Sequence, residues 1–376
     1  MGALLKGEER TLLRDEHRYF AHSHLTALKS GAWLLVANCG PRRAITMHPP
    51  QDPEYVNLLI RSHDQGRTWS PPVPVPGFGV TGTECAGLTA LPDGSALLNQ
   101  WRFRWYPYTA PPDSAREPLA TGPADMLRSL LGSDEISPEP PAAPAEPERV
   151  MPWIRGGGTL SVYRSTDDGL TWPHCSHVDT HPFAGGYGMR GGIVLPDGGL
   201  LLPLCDPPFY RRIFTVRSRD NGRSFSPGRL VAEAPDRAFE EPAPVLLESG
   251  AILMLLRENV SHTLFAVRSV DGGATWSEPA PTGIDCYPAH LVRLRDGRIA
   301  AVTGRRRAPY GISIFLADRS GLRFDVERPL IVRSELPNKD LGYPAAIERP
   351  DGRLFIAYYY RDDAGVTAVH AIDVEI

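Results

Sequence analysis

A short motif that recurs along the chain constrains the fold more than any other feature. Four segments follow the pattern Ser-x-Asp-x-Gly-x-Thr/Ser-Trp/Phe, and Ala317–Phe324 is a degenerate fifth copy. The four copies are Ser62–Trp69, Ser165–Trp172, Ser218–Phe225 and Ser269–Trp276. In such a motif glycine adopts the positive φ of a tight turn, serine and aspartate bond to turn amides, and the aromatic residue packs beneath. The pattern therefore predicts a structural turn, repeated once in each copy of a larger unit.

A second series of turns alternates with this motif. Each member is an apolar run, a Ser-Gly or Asp-Gly pair and another apolar run, which is a strong signal for a β-hairpin. The six hairpin glycines are Gly31, Gly94, Gly198, Gly250, Gly297 and Gly352. The distance from a motif glycine to the next hairpin glycine varies only from 24 residues (Gly273 to Gly297) to 31 residues (Gly321 to Gly352). The two series therefore keep a nearly constant register.

Two hairpins in each period of roughly 50 residues make a four-stranded unit, which is the composition of a propeller blade. Six hairpins predict an all-β fold, a six-bladed β-propeller with four-stranded blades, and residues 1–376 form one domain. The apolar run Val366–Ile376 follows the last hairpin without another motif copy. We therefore expect one blade to take strands from both ends of the chain.

Residues 107–152 interrupt the repeat and are rich in proline, alanine and acidic residues. We interpret them as an insertion loop between blades two and three. The piece Ala124–Leu131 can form one or two helical turns, whereas Ser137–Pro147 has too many prolines for regular structure. Both a lid over a site and a disordered loop are open interpretations of so long a connection.

Composition excludes several classes of partner. With 40 basic and 44 acidic residues, the chain has a formal net charge of −4, so neither nucleic acid nor an anionic membrane is an expected partner. Five widely spaced cysteines indicate free thiols rather than disulfides or a metal knuckle. No stretch has the apolar length of a secretory signal or a membrane span, so we expect a cytoplasmic location. The oligomeric state stays open.

Candidate functional residues come from the innermost strands, which line the central channel of a propeller. Polar residues stand before the apolar part of the first strand in every predicted blade. They are His22, His24, Thr83, Glu84, Tyr187, Arg190, Glu240, Glu241, Tyr287, His290, Asp340 and Tyr343. Burying so many charged and polar groups near one axis is costly unless they pair or bind a ligand.

Two arginines, Arg257 and Arg305, follow inner hairpins at corresponding points of the repeat. The planar fork of arginine suits a carboxylate, and we expect both residues to bind substrate. For Arg306 and Arg307 we expect a salt bridge between blades or a solvated surface position.

The motif copies resemble the Asp-box, or BNR, repeats of the sialidase superfamily, over nearly the whole chain apart from the insertion. The segment Glu241–Arg257 is similar to the sialidase segment in which a glutamate precedes the inner strand and a carboxylate-binding arginine follows it. Arg305 resembles the site of another such arginine, and Tyr343 resembles the tyrosine nucleophile of the family. The resemblance thus implies Tyr343 as nucleophile and Glu241 as its base, since a neutral phenol is a poor nucleophile.

The chain also departs from sialidases. Their first inner strand carries an arginine motif, whereas this chain reads Ala21-His22-Ser23-His24-Leu25 there. The only aspartate between that strand and the first motif copy is Asp52, which is the candidate for the sialidase acid. The glutamate that supports the missing arginine is replaced around Tyr358–Arg361. These differences argue against ordinary sialic acid as substrate.

Three functions remain open. The first is a glycoside hydrolase that acts at a chain end on an acidic or unusual sugar, with Asp52 or an inner histidine as acid. The second is a polysaccharide lyase, in which His290 or His24 removes the α-proton of a uronate and Tyr343 serves as acid. The third is a sugar-binding propeller without turnover. No cofactor is expected, and His22 and His24 on one strand lack partners with metal-site spacing.

Overall fold

Six sheets arranged around one axis make up the six-bladed propeller. The computed structural model describes residues 2–45, 47–75, 81–131, 145–285 and 287–376, without the side chains of residues 81, 82, 84 and 129–131. The chain begins with two strands that belong to the last two blades. They are β1 (Ala3–Leu4) and β2 (Glu9–Leu13).

Each blade then follows in chain order, starting with its innermost strand. Blade one contains β3 (Arg18–Ala27), β4 (Trp33–Pro41), β5 (Val56–Ser62) and β6 (Val73–Pro74). Blade two contains β7 (Thr81–Ala90), β8 (Ala96–Pro107), β9 (Trp153–Ser165) and β10 (His174–Val178). Blade three contains β11 (Ile193–Val194), β12 (Leu200–Cys205), β13 (Ile213–Ser218) and β14 (Arg229–Ala232).

The second half continues the pattern. Blade four contains β15 (Phe239–Leu246), β16 (Ile252–Glu258), β17 (Thr263–Ser269) and β18 (Ala280–Pro281). Blade five contains β19 (Ala289–Arg293), β20 (Ile299–Arg305), β21 (Gly311–Ala317) and β22 (Leu330–Arg333). Blade six contains β23 (Leu341–Glu348), β24 (Leu354–Arg361) and β25 (Thr367–Val374). The prediction of a six-bladed propeller with four-stranded blades is confirmed.

The N-terminal strands close the ring. Strand β2 pairs antiparallel with β25 from Glu9↔Ile372 to Leu13↔Val369, and it thereby becomes the fourth strand of blade six. Strand β1 pairs parallel with β22 and adds a fifth strand to blade five. The expectation that one blade takes strands from both ends is therefore confirmed. A closed ring leaves few sheet edges open to other chains.

The Asp-box turn lies between the third and fourth strands of a blade. In the first copy, Ser62 Oγ donates to Asp64 Oδ1 at 2.7 Å and accepts the Gly66 amide at 2.7 Å, while Asp64 Oδ1 accepts the Thr68 amide at 2.9 Å. Gly66 has a φ of +78°, and a Cβ there would lie 3.0 Å from the ring of Trp33. Glycine is therefore needed both for the turn and for the contact with the inner hairpin of the blade.

The second strands of the blades are sandwiched between neighbouring sheets. All seven residues of β16 are buried, and its first five are apolar. A strand covered on both faces reads as a continuous apolar run rather than an alternating one. The core therefore lies between the blades, and polar groups are concentrated at the ends of the strands.

The insertion lies inside blade two, which corrects the predicted place between blades two and three. It connects β8 to β9, whose pairing extends to Pro107↔Trp153. Its described parts contain α1 (Pro123–Leu131) and α2 (Pro147–Val150). The insertion lies between the inner hairpins of blades two and three. The number of hairpins is therefore the same whether the insertion is inside blade two or between the two blades, and the pairing of β8 with β9 decides the question.

The described parts of the insertion pack against the loop between β4 and β5. Met126, Leu127 and Met151 form an apolar cluster with Met47 of that loop. Trp153 Nε1 donates to the Gln51 carbonyl at 2.8 Å. None of the helices in the described ranges has the length and apolar character needed to cross a membrane.

Candidate active site at the start of the inner strands

Four inner strands carry a β-bulge at the same place. The register shifts lie between Ala21 and His24, Thr83 and Ala86, Glu240 and Ala243, and Gly342 and Ala345. The first residue inside each bulge is His22, Glu84, Glu241 or Tyr343. Bulges redirect a side chain and are frequent beside active sites.

Three of these bulge residues have a left-handed backbone. The φ angles are +53° at His22, +49° at Glu241 and +45° at Tyr343, although none of them is glycine. Such conformations cost energy for residues with a Cβ and persist where the surrounding structure holds them. The side chain of the fourth, Glu84, lies outside the described residues, so its predicted role in substrate binding stays a prediction.

The bulges of blades four and six bring Glu241 and Tyr343 into contact. The Tyr343 hydroxyl donates to Glu241 Oε1, and Arg257 Nη1 donates to Glu241 Oε2 at 3.1 Å. The side chains of Glu241 and Arg257 are only 2% and 7% exposed. Burial, followed by the charge of Glu241, raises the pKa of Tyr343 well above that of a free tyrosine. Tyr343 is therefore a neutral hydroxyl held against a buried carboxylate.

Two guanidinium groups lie over the tyrosine rings of the site. The Cζ atom of Arg306 is 5.1 Å from the centroid of Tyr343, and that of Arg257 is 4.7 Å from the centroid of Tyr287. Arg306 also donates to the Leu341 carbonyl at 2.9 Å. These cation–π contacts add positive charge to a site that contains one described carboxylate.

The placement of Arg306 differs from the sequence expectation of a surface or interblade residue. Arg306 is 7% exposed and donates from Nη2 to the Tyr359 hydroxyl at 3.1 Å, whereas Arg307 is exposed. Strand β20 ends at Arg305, so Arg306 lies where the chain leaves the strand and strand alternation does not predict its direction. Arg305 is half-buried at the register position of Arg257, and its predicted role in substrate binding stays a prediction.

His22 and His48 complete the cluster around Tyr343. The His22 ring lies edge-on to Tyr343 with centroids 4.4 Å apart, and the His48 ring is 5.1 Å from His22. His22 Nδ1 donates to Asn38 Oδ1 at 3.1 Å, because the amide nitrogen of Asn38 is engaged with Asn57. Within the described structure, His22 Nε2 is buried and has no hydrogen-bond partner. In this tautomer, Nε2 is therefore a free acceptor.

Both histidines are neutral at ordinary pH. Burial, followed by the neighbouring His48, lowers the pKa of His22 well below its usual value. Burial and the charges of Arg306 and Arg257 lower the pKa of His48 to about 3.

The loop between β4 and β5 therefore contributes His48 rather than the predicted Asp52. The Asp52 carboxylate is fully buried in an ion pair with Arg43, and its Oδ1 also accepts the Glu54 amide at 2.9 Å. These bonds hold the loop in place. The assignment of Asp52 as an acid stays a prediction, and its contacts indicate a structural role.

Two further candidates support the site from behind. Asp340 is fully buried and accepts the Tyr19 hydroxyl at 2.9 Å, and burial raises its pKa. The Tyr19 ring lies edge-on to the Tyr55 ring, with centroids 6.1 Å apart, and edge-on to the Tyr359 ring, with centroids 6.4 Å apart. Tyr187 is buried near Tyr210 in blade three, with ring centroids 6.3 Å apart. Contact of either Asp340 or Tyr187 with substrate stays a prediction.

His24, His290 and Arg190 form a separate group further along the inner strands. The rings of His24 and His290 are 5.5 Å apart, and all three side chains line a channel that begins beyond the bulges. The sequence placed them in one pocket with Glu241 and Tyr343. Arg190 lines this channel and also lies within electrostatic range of Glu241 and Tyr343, and a common pocket for all five residues stays a prediction.

Acidification should destabilise the protein from near pH 6.5 downward. Below pH 6.5 the unfolded chain protonates its histidines, whereas buried histidines with lowered pKa values stay neutral in the native state. Their contribution to the free energy of unfolding is therefore fully present above pH 6.5 and is lost as the pH falls toward 3. The histidines concerned are His22, His24, His48 and His290. Each contributes up to about 1.4 kcal/mol per pH unit.

Urea unfolding at pH 8, 7, 6 and 5 measures this dependence. His48→Gln should reduce the fall in the free energy of unfolding per pH unit below pH 6.5 by the contribution of one histidine. His63→Gln, at an exposed position, is the matched control and should leave that dependence unchanged. A stability that is constant between pH 8 and 5 would contradict the assignment of neutral histidines.

Comparison with known proteins places this geometry in a family. The BNR repeat-like domain matches residues 149–356, which is more than half of the chain. The chain belongs to this family. No curated protein matches the sequence.

Several solved structures share the fold. A protein of unknown function from Dyadobacter fermentans is 22% identical, with 98% of each chain covered and a TM-score of 0.78. A sialidase from Streptococcus pneumoniae is 15% identical, with 97% of this chain and 70% of that chain covered and a TM-score of 0.68. An α-L-arabinofuranosidase from Fusarium graminearum is 13% identical, with coverages of 98% and 97% and a TM-score of 0.63. At these identities the likeness shows a common fold, one that glycosidases of different specificity use.

A short repeat in the BNR sequence marks the site and was missed. Three blades carry a polar residue followed by Pro-Ala: Glu241-Pro242-Ala243, Tyr287-Pro288-Ala289 and Tyr343-Pro344-Ala345. In blades four and six the alanine is where regular pairing resumes after the bulge, and in blade five pairing starts at Ala289. Aligning the repeats on Pro-Ala would have placed Glu241, Tyr287 and Tyr343 at one position.

Proposed function

We propose that this BNR-family protein is a retaining glycoside hydrolase acting on an acidic or otherwise unusual sugar, with Tyr343 as nucleophile and Glu241 as its base. The observation that carries the proposal is the hydrogen bond from the buried Tyr343 hydroxyl to Glu241 Oε1. Both residues stand in left-handed bulges, which is energetically justified if the function requires this contact.

The contact suits base-assisted attack. Because the pKa of Tyr343 is raised, its hydroxyl must lose the proton as it attacks, and Glu241 lies within hydrogen-bond reach to accept it. Arg257 holds the other carboxylate oxygen and favours the ionised form of Glu241. Attack of the tyrosine oxygen on the anomeric carbon breaks the bond to the leaving oxygen, which takes a proton from a separate acid, and gives a glycosyl-tyrosine. Water then attacks the anomeric carbon and loses a proton to the conjugate base of that acid, while the tyrosine oxygen leaves and recovers its proton from Glu241.

The charge balance supports an anionic sugar. Among the described side chains in and directly around the cluster, Glu241 and Asp340 are the carboxylates, the guanidinium groups are those of Arg190, Arg257 and Arg306, and the histidines are neutral. One net positive charge in a buried site favours a substrate carboxylate. The half-buried Arg305 provides a further guanidinium at the end of β20.

The proton donor for the leaving oxygen is not one of the two histidines. With lowered pKa values, His22 and His48 are neutral near neutral pH, and a neutral imidazole is too weak an acid to protonate the leaving oxygen. Glu84 occupies the corresponding bulge of blade two by register, and we assign the acid role to it. The variant Glu84→Gln tests this assignment, with rescue of turnover expected on substrates whose leaving group needs no protonation.

A lyase is the second candidate, with a different base from the one first expected. His24 and His290 each accept a backbone N–H at Nδ1, so neutral His24 and His290 carry a proton on Nε2 and have no nitrogen free to act as base. His22, by contrast, has a free Nε2 acceptor beside Tyr343. In a lyase, His22 would therefore remove the α-proton and Tyr343 would protonate the leaving oxygen.

Product analysis distinguishes the candidates. The wild type and Glu241→Gln are incubated with a panel of acidic sugar glycosides and uronate oligosaccharides, and reducing ends and near-ultraviolet absorbance are followed together. We expect reducing ends without absorbance in the wild type and their loss in Glu241→Gln. A growing absorbance would establish the lyase, and sugar binding without any product from the wild type would favour a binding propeller.

A further inference from the structure

A cavity runs along the axis and opens on the face that carries the hairpin turns, away from the bulges. It has a volume of about 560 Å³, and the inner strands of all six blades line it. Its outer lining includes Ala27, Ala90, Val194, Leu246 and Glu348, which stand just before the hairpin turns. The cavity, which we call the axial channel, therefore extends from the hairpin face toward the layer of Arg190, His24 and His290.

Arg190 brings a buried charge to the inner part of this channel, and the carboxylate that acts on this charge, Glu241, already binds Arg257 and Tyr343. Its side chain is almost completely buried, since Arg190 is 2% exposed, and its Nε donates to the Ala289 carbonyl at 3.1 Å. Throughout the described part of the chain, neither Nη1 nor Nη2 of Arg190 has a hydrogen-bond partner. A buried guanidinium with four unsatisfied N–H bonds is costly unless an acceptor occupies the space next to it.

The two histidines of the layer also present donors. His24 Nδ1 accepts the Leu88 amide at 2.9 Å, and His290 Nδ1 accepts the Ala346 amide at 3.1 Å. A backbone amide can only donate, so each neutral ring carries its proton on Nε2. Burial and the charge of Arg190 lower the pKa of His290 to about 3, which agrees with a neutral ring.

The layer thus consists of donors. One fixed positive charge and two imidazole N–H groups lie around the axis, and the described lining carries its carboxylate, Glu348, at the outer end near Arg295. A cation cannot accept hydrogen bonds from these donors, and a water molecule would bring no negative charge to the two unsatisfied Nη groups of Arg190.

We propose that the axial channel binds a small monovalent anion of the halide type between the guanidinium of Arg190 and the Nε2 atoms of His24 and His290. The anion accepts hydrogen bonds from the unsatisfied Nη groups of Arg190 and places a negative charge beside them, where Glu241 is already engaged with Arg257 and Tyr343. Exposed Arg293 and Arg295 near the outer end of the channel attract anions toward it. The site is distinct from the Glu241–Tyr343 contact and does not depend on the proposed hydrolase activity.

Thermal unfolding in chloride tests the site without any substrate. Sodium chloride replaces sodium fluoride at constant ionic strength, because fluoride keeps its hydration and is a poor ligand for a desolvated site. We expect the unfolding midpoint to rise with the logarithm of the chloride concentration above the dissociation constant, by roughly 4 °C when chloride exceeds that constant about thirtyfold. In Arg190→Met the dependence should vanish, and in Arg295→Met, the matched control in the same channel, it should persist.

A second measurement covers the case in which Arg190→Met does not fold. Crystals of the wild type soaked in bromide should show an anomalous peak within hydrogen-bond distance of the Arg190 guanidinium. In His290→Phe the dissociation constant for chloride, obtained from the dependence of the unfolding midpoint on chloride, should rise about tenfold. The proposal is overturned if the peak is missing, or if the chloride dependence is the same in the wild type and in the Arg190 or His290 variant.

Discussion

Replacing Tyr343 with phenylalanine should reduce turnover about 10³-fold or more while leaving the fold intact. The change removes only the hydroxyl that donates to Glu241, and the ring keeps its contacts with His22 and Arg306. Loss of a nucleophile together with its base-assisted proton transfer costs about 4 kcal/mol or more of transition-state stabilisation. Steady-state kinetics on the substrate found in the panel, with circular dichroism as the test of folding, measures the effect.

Tyr359→Phe is the matched control. Tyr359 is buried in the same cluster, with its ring 6.0 Å from that of Tyr343, and its hydroxyl accepts from Arg306 rather than touching Glu241. We expect less than about a tenfold loss, because an indirect contact is removed. An activated fluorinated glycoside should also label the protein covalently, and mass spectrometry should find the glycosyl group on the peptide that contains Tyr343. A label on another residue, or a Tyr343→Phe variant as active as the wild type, would reject Tyr343 as nucleophile.

Deleting residues 2–13 should lower the unfolding midpoint by roughly 10 °C or more. The deletion removes β2, which pairs with β25, buries Leu13 and carries Glu9. Glu9 accepts the hydroxyls of Tyr358 and Tyr360 and pairs with Arg333 of blade five. Several backbone hydrogen bonds at roughly 1 kcal/mol each, together with the lost burial, amount to about 5 kcal/mol of stability. At about 2 °C per kcal/mol in a chain of this size, this loss corresponds to a fall of about 10 °C in the unfolding midpoint.

A shorter deletion of residues 2–6 is the control. It removes β1, whose two residues are exposed and pair only with the edge of blade five, so the midpoint should fall by about 2 °C or less. A synthetic peptide covering residues 7–16 should restore much of the loss in the longer deletion by pairing with β25. Equal midpoints for the two deletions would show that β2 does not close the ring.

The sequence by itself determined the parts of this protein that rest on local interactions. The box serines and aspartates bond to amides within four residues, so the motif predicts its own turn. The four Asp-Gly and two Ser-Gly hairpins likewise predict adjacent strands, and the six together give the number of blades. Even one contact of the site is local, because Glu241 and Arg257 face each other across a single hairpin, 16 residues apart.

Only the tertiary structure decided how the blades meet at the axis. Glu241 contacts Tyr343 across 102 residues, and this pairing exists because the closed ring turns two separate bulges toward one point. In the loop after β4 the sequence suggested only Asp52, whereas packing buried Asp52 against Arg43 and brought His48 of the same loop beside His22. Arg306 entered the site where β20 ends, a place at which strand alternation no longer applies. Local patterns specify turns and strands, whereas the position of a side chain at the axis depends on six blades at once, and no segment of the chain contains that information alone.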